Sequence, residues 1–367
     1  MEANATRDQR RWREAVLVIL ATFVATRLVL VLVAAITETA LPIPITLPTY
    51  SSTPILASLT GTDSIYLLGI AAQGYHAVPI HDSYMDWAFF PLFPIATRVM
   101  SLLTFGNIAL AGVLVANLAT LAAAFVMYRL GESRLGHRGA VLAVVYLLIS
   151  PGAVAFGMAY TDSLFLLLAL GAFAAAERGR WLAMGVLYGL ATLTRMPGLL
   201  LAIPLLLVVL NSERGRWRAA APLVLGPIAL LAFTVYLWDR FGVAFAYLNA
   251  QAAWNNPAKT VVSGTLPAGA GPLVAILIGT LLVYTFLFVY ARVDRLSKPD
   301  IALMVVSVLT IIASGRLLSV GRYLAVVWPF SWVLARRGGW MPLLWPAVSG
   351  SLFTLHAVLN FTQTLAP

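Results

Sequence analysis

Apolar runs of bilayer-crossing length recur along nearly the whole chain, and no other feature limits its fold as severely. The first run, Ala15 to Ile36, carries one charge, Arg27. Others cover 108–128, 140–156, 163–176, 182–193, 199–210, 219–238, 272–290, 301–313, 324–335 and 340–359. Backbone N–H and C=O groups find no water in hydrocarbon, so continuous runs of about twenty apolar residues read as helices. With 61% hydrophobic and 10% charged residues in 367, the expected class is an all-α integral membrane protein. A chain of that length holds about ten to twelve such spans, so one multispan domain over 1–367 is expected.

Charge then orients the spans. A basic head, "RDQRRWRE" within residues 1–14, precedes the first run and is expected in the cytoplasm. The net charge of +10 needs no nucleic acid, because Arg at cytoplasmic helix ends is its ordinary source. The absence of Cys excludes disulfides, thiolate metal sites and a Cys nucleophile. Lys259 and Lys298 are the two lysines against many arginines, a composition that suggests a GC-rich prokaryote and hence the inner membrane. The piece from Ala88 to Phe105 decides the topology, since counting it as a span inverts every later loop. Laid on the surface or re-entrant, it leaves "RLGESRLGHR", "ERGRW", "NSERGRWR", "ARVDRLSKPD" and "ARRGG" on one side with the head. Pro91, Pro94 and Arg98 also suit a bent interfacial helix. About eleven spans follow, with 37–105 as the first extracytoplasmic loop and the C-terminus outside. The recurrence of "ERGRW" at 177–181 and 213–217 reads as two cytoplasmic turns anchored by Arg and Trp rather than a duplicated hairpin.

That first loop is long and apolar, yet it keeps Asp63, Asp82 and Asp86. Later external loops offer Arg195, Arg240, Lys259, Arg316 and Arg322. Opposed charges at one membrane face suit an anionic lipid head group whose tail lies among the helices. Transfer of a sugar from a lipid phosphate to a hydroxyl needs a base for the acceptor's proton and cations for the leaving phosphate. One carboxylate acting as the base on the face opposite the phosphate, where the acceptor hydroxyl attacks, gives inversion. Arg322 and Arg316 are the first choice for the phosphate and Arg195, beside a Pro-Gly break, the second.

Each residue also has a plainer reading. Asp63 caps the amphipathic helix "SIYLLGIAAQGY" or serves as the base. Asp82 and Asp86, four apart, offer a divalent-cation site for Mg or Mn or a solvated loop face. His76 and His81 relay protons or are ordinary loop histidines. Arg27 pairs with Glu38 or a backbone carbonyl, and His356 packs the last span. Arg316 and Arg322 alternatively snorkel to the interface.

Six motifs in order then carry a resemblance. "TDSIYLLGIAAQGYH" resembles "W-D-x-x-[WY]-Y-x-x-I-A-x-x-G-Y", "AFFPLFP" resembles "FFPLxP", and "AYTDSLF" resembles "YTESLF". "GLATLTRMPGLLL" is similar to "LATLTRPxG", "YLNAQAAW" to "RAQxxW", and "GRYLAVVWPF" to "RYLLxxFP". These are the motifs of the PIG-V-like mannosyltransferase family, GPI mannosyltransferases with prokaryotic relatives. The resemblance implies a GT-C helical bundle, a polyprenyl- or dolichyl-phosphate mannose donor and Asp63 as the catalytic carboxylate. Sugar and acceptor contacts are expected at Tyr66, Tyr75, His76, Asp162, Gln251 and Trp254. Thr62 stands where the family prefers Trp and Asp162 where it prefers Glu, which implies a different pocket floor and an acceptor other than a GPI precursor; in a prokaryote, mannosylated glycolipids or phosphoinositides of the envelope are the expected acceptors. A transporter or flippase for lipid-linked or small anionic substrates is the competing class, and a non-catalytic scaffold the third.

Overall fold

The structure is a computed structural model that describes residues 2–40, 50–79, 85–212, 216–254, 296–314, 319–338 and 341–362. His81, Asp82, Lys259, Arg316 and the apolar run at 272–290 lie outside the described residues, as does the side chain of Trp254. Among the described residues no strand occurs, as hydrocarbon burial of single apolar runs requires.

Helix α1, Glu2–Ala40, runs unbroken from the basic head through the first apolar run. The head is thus helical rather than a separate tail. Its straight-chain Arg and Glu residues favour helix, and Trp12 is anchored against Phe125 and Tyr128 with the Arg129 guanidinium 4.1 Å above its ring. Arg27, deep in this helix, donates to Asn117 Oδ1 at 2.6 Å and to the Phe156 carbonyl at 2.8 Å. A carbonyl and an amide, not Glu38, answer the cost of that charge in an apolar span.

Short helices follow in the first loop: α2, Pro54–Leu59, α3, Ser64–Gln73, and α4, Leu92–Ser101. Ten residues of helix reach only about 15 Å, half a hydrocarbon core, so α4 cannot cross. It buries Phe93, Pro94, Thr97 and Ser101, while Ile95, Val99 and the following Leu102, Leu103 and Phe105 are exposed. Expected to be amphipathic, α3 is instead buried from Ser64 through Ala71, because α4 and α5 pack against it.

Helix α5, Ile108–Leu148, joins two of the sequence's apolar runs through the predicted basic loop. The reversal sits at Gly136, whose φ of 68° is open to glycine. A Cβ on Gly131 would lie 3.3 Å from Ala140 Cβ, whereas residues nine apart in a straight helix are about 13.5 Å apart, so 108–135 and 137–148 fold back on each other. Most of "RLGESRLGHR" therefore stays helical, with the turn confined to one residue. After a 3-10 turn at Pro151–Phe156 come α6, Asp162–Glu177, and α7, Trp181–Thr192, joined by a tight turn at Gly179 with φ of 68°. The first "ERGRW" is this turn, while residues 213–215 of the second lie outside the described residues.

A 3-10 segment, Met196–Leu201, leads into α8, Ala202–Leu210. Then follow α9, Arg216–Ala220, α10, Leu225–Phe241, α11, Ala246–Trp254, α12, Lys298–Ser314, α13, Val320–Ala325, α14, Pro329–Ala335, and α15, Met341–Phe361. The core forms where α5 meets α1, α6 and α14, around Tyr128, Phe173, Trp328 and Trp332. His356 of α15 bonds the Pro151 carbonyl at 2.9 Å, a packing role as expected. Four described stretches, 6–40, 108–148 with its reversal at Gly136, 217–241 and 342–361, are long and apolar enough to cross a membrane. The other described runs are shorter helices, so the figure of about eleven crossings rests on loop charge alone.

Candidate active site

Asp63 sits on a strained turn. Thr62 before it has φ of 55°, a left-handed value that a β-branched residue adopts only when its surroundings hold it there. What holds it is a hydrogen bond between its buried hydroxyl and the phenol of Tyr160. The Ala159 N–H also donates to the Leu59 carbonyl at 3.0 Å, tying the turn to the segment that precedes α6. Although Asp63 stands at the N-terminus of α3, its side chain makes no capping bond. Its Oδ2 instead accepts from Arg322 Nη1 at 2.6 Å, across 259 residues of sequence.

Arg322 reaches this point because α13 lies directly on the 151–156 turn. A Cβ on Gly152 would stand 1.9 Å from the Gly321 carbonyl oxygen, so only glycine lets the two backbones meet. The Arg322 guanidinium lies 4.8 Å from the Tyr160 ring and 5.4 Å from that of Tyr323, positions that stabilise a cation. Its Nε faces Asp162 Oδ2 at 3.6 Å, too long for a hydrogen bond. Asp162 opens α6, fully buried, and its Oδ1 is bonded by Arg195 Nη1. Arg195 is delivered by the extended break between α7 and the 3-10 segment, and the Leu92 N–H to Leu193 carbonyl bond at 2.9 Å pins that break to α4.

Two acids and two bases thus alternate in one row, Asp63, Arg322, Asp162, Arg195, buried except for the partly exposed Arg322. Burial alone would lower the Arg322 pKa, but Asp63 and Asp162 reverse this and hold it well above its ordinary value. Burial first and the Asp63 charge second push the Tyr160 phenol up, so it stays neutral.

The row forms the charged part of a cavity of about 580 Å³. Elsewhere the lining is uncharged and mostly apolar, including Leu199, Leu200, Leu303, Val306, Phe89 and Phe90. Such a space receives an anionic or polar group at the row and an apolar chain beside it.

Three of the expected sugar contacts stand behind this wall rather than on it. Tyr66 stacks on Phe89 at 5.1 Å, Tyr75 donates to the Phe89 carbonyl at 2.7 Å, and His76 Nδ1 lies 2.9 Å from Asp86 Oδ2. Gln251 does line the cavity, and its amide donates to the Ala88 carbonyl at 2.9 Å. Together they fix the strip 86–90. Asp86, the first residue of that strip, is fully buried; burial raises its carboxyl above the usual range, opposed by bonds from the His76 side chain and backbone N–H. Burial and then Asp86 push the Tyr75 phenol well up. As a cation site the region offers Asp86 with one oxygen already committed to His76, whereas Mg or Mn takes several oxygens. Among the described residues no group of three or more metal-ligating side chains gathers there or elsewhere. Arg240 is exposed and absent from the lining. The sequence reading overlooked Tyr160 and Tyr323, which flank the guanidinium groups; their signal was adjacency to Asp162 and Arg322 in the "AYTDSLF" and "GRYLAVVWPF" motifs.

Comparison with known proteins gives three findings. Residues 91–238 match the family model described as dolichyl-phosphate-mannose-protein mannosyltransferase. The chain is 31% identical over 208 residues to GPI alpha-1,6-mannosyltransferase 2 of Cricetulus griseus, covering 50% of this chain and 41% of that protein. It is 32% identical over 203 residues to GPI mannosyltransferase 2 of Chaetomium globosum, covering 45% and 41% respectively. The matched regions thus span less than half the length of these curated relatives. In fold, the chain is similar to ArnT from Cupriavidus metallidurans, crystallised with undecaprenyl phosphate, with a TM-score of 0.51, 17% identity, and coverage of 95% of this chain and 76% of that one. It is also similar to the archaeal oligosaccharyltransferase AglB from Archaeoglobus fulgidus, in complex with an inhibitory peptide and a dolichol-phosphate, with a TM-score of 0.50, 12% identity, and coverage of 95% and 56%. The chain therefore shares the fold of these solved structures, and residues 91–238 are similar in sequence to the mannosyltransferase family model.

Proposed function

We propose that this chain is a GT-C mannosyltransferase that moves mannose with inversion from polyprenyl- or dolichyl-phosphate mannose to a lipid-linked or envelope glycolipid acceptor at the extracytoplasmic face. The observation that carries the reading is the joining of Asp63 to Arg322 at the charged row of an otherwise uncharged cavity. A lipid phosphate needs guanidinium donors beside apolar surface, and Arg195, Arg322 and the uncharged lining offer both. The relatives' names give mannose as the sugar, and the molecules bound to ArnT and AglB are polyprenyl phosphates.

In the proposed mechanism Asp63 accepts the acceptor's proton as its oxygen attacks the anomeric carbon from the face opposite the phosphate. Arg322 and Arg195 hold the phosphate oxygens as the glycosidic electron pair departs onto them. Arg316 supplies a further cation, and Asp162 orients both described arginines. Gln251 and Trp254 contact the sugar from α11, while Tyr66, Tyr75 and His76 act through the strip that they brace. A divalent cation at Asp82 and Asp86 is a separate expectation, tested by comparing activity with and without EDTA. Incubating membranes that contain the protein with isotope-labelled polyprenyl-phosphate mannose, followed by mass spectrometry of the labelled lipids, tests the reading. A mannolipid whose new linkage is inverted relative to the donor is expected. Label confined to the donor, or retention, contradicts it.

A further inference from the structure

The row contains an irregularity that a static ion-pair network does not explain. Arg322 Nε and Asp162 Oδ2 are both buried, they face each other at 3.6 Å, and among the described residues neither has a hydrogen-bond partner. Unmet buried donors and acceptors are costly, and about half an ångström of movement brings this pair within bonding distance. Arg322 is kept from closing the gap by its bond to Asp63 at 2.6 Å. The guanidinium is therefore drawn two ways, with Asp162, itself fixed by Arg195, as the firm anchor and Asp63 as the partner that can be released.

Resting on the function proposed above, we infer that Arg322 changes partner during the reaction, leaving the Asp63 carboxylate as that group takes the proton and passing to the phosphate as that group gains charge. The chemistry balances. The acceptor's O–H bond breaks and its hydrogen goes to Asp63, which becomes neutral. The acceptor oxygen forms the new bond to the anomeric carbon, and the old carbon–oxygen bond breaks with its electron pair on the phosphate. A singly charged phosphodiester becomes a monoester bearing close to two negative charges at neutral pH. Charge lost at Asp63 appears on the phosphate, and Arg322, within reach of the first and lining the cavity that receives the second, follows it. Its Nε closes on Asp162 Oδ2 in the same motion, so no buried cation is stranded. Arg322 thereby links neutralisation of the base to stabilisation of the leaving group.

Binding of undecaprenyl phosphate, the product-like probe, to the full chain in detergent or nanodiscs tests this without any turnover. Asp63→Asn reproduces the neutral base, so it releases Arg322 and is expected to tighten binding about tenfold. In an Arg322→Gln background the same change is expected to have no effect, because no guanidinium remains to be handed over. Binding that Asp63→Asn leaves unchanged or weakens overturns the handover. Equal tightening with and without Arg322 also overturns it, since that pattern reports only relief of charge repulsion. If Asp63→Asn fails to fold, Asp63→Ser removes the same charge and carries the same expectation. Saturable binding without the coupling condemns the handover alone, while no binding by the wild-type chain condemns the proposed function with it.

Discussion

At the scale of the residue, what matters is how few groups carry the charge and how firmly each is held. Asp162 is fully buried between two guanidiniums, so Asp162→Asn leaves Arg195 and part of Arg322 uncompensated. Breaking a buried pair from one side costs about 3–5 kcal/mol, and thermal unfolding in detergent is expected to show a loss of that order. Thr62 holds a strained backbone through its hydroxyl. Thr62→Val keeps the strain and loses the bond to Tyr160, whereas Thr62→Gly loses the bond but relieves the strain. Denaturation is expected to rank Thr62→Gly above Thr62→Val by about 1 kcal/mol. The Asp86 carboxyl is raised by burial, so folding favours its protonated form. That contribution is fully present below the ordinary Asp value of about 4 and is lost as pH rises through the raised value. Unfolding measured across this range is expected to show wild-type stability falling with pH relative to Asp86→Asn, which cannot titrate. Asp63 was legible as a candidate from its motif, but its partner was not. The capping alternative fails because the side chain turns to an arginine 259 residues away, a contact that no local pattern encodes.

At the scale of the element, glycines rather than charges set the geometry. Gly152 lets α13 rest on the 151–156 turn, and α13 carries Arg322. Gly152→Ala must push the Gly321 backbone away, and a shift of about 1 Å at a positioning contact reduces turnover on the order of a hundredfold. Gly350→Ala is the control, since a Cβ there meets nothing within 4 Å and the helix gains propensity. The measurement is turnover of both variants at matched protein. Most helices were legible from the apolar runs, because an unbroken run of that length satisfies its own backbone in hydrocarbon only as a helix. The burial of α3 was not, since periodicity reports which face is apolar but not that α4 and α5 cover the rest. The reversal in 108–148 was legible as a basic, glycine-containing stretch, although not that a single glycine would make it.

At the scale of the whole molecule, segments distant in sequence converge on one row of charge. The first loop brings Asp63, the start of α6 brings Asp162, the break after α7 brings Arg195, and α13 brings Arg322. The family motifs contain all four positions, with Asp63 expected as the base and Asp162 as a sugar contact, and loop charge singled out Arg195 and Arg322 for the phosphate. They could not show that the four alternate, nor that Tyr66, Tyr75 and His76 stand behind the cavity wall, because order along a chain says nothing about which side of a wall a residue takes. The most direct measurement is single-turnover transfer from labelled polyprenyl-phosphate mannose by purified wild-type and Asp63→Asn protein, with unfolding temperatures compared to confirm intact structure. Label is expected to pass to the acceptor lipid with the wild type and to fall by at least about a hundredfold with Asp63→Asn. Transfer at the wild-type rate by a folded Asp63→Asn protein would contradict the assignment of Asp63 as the base.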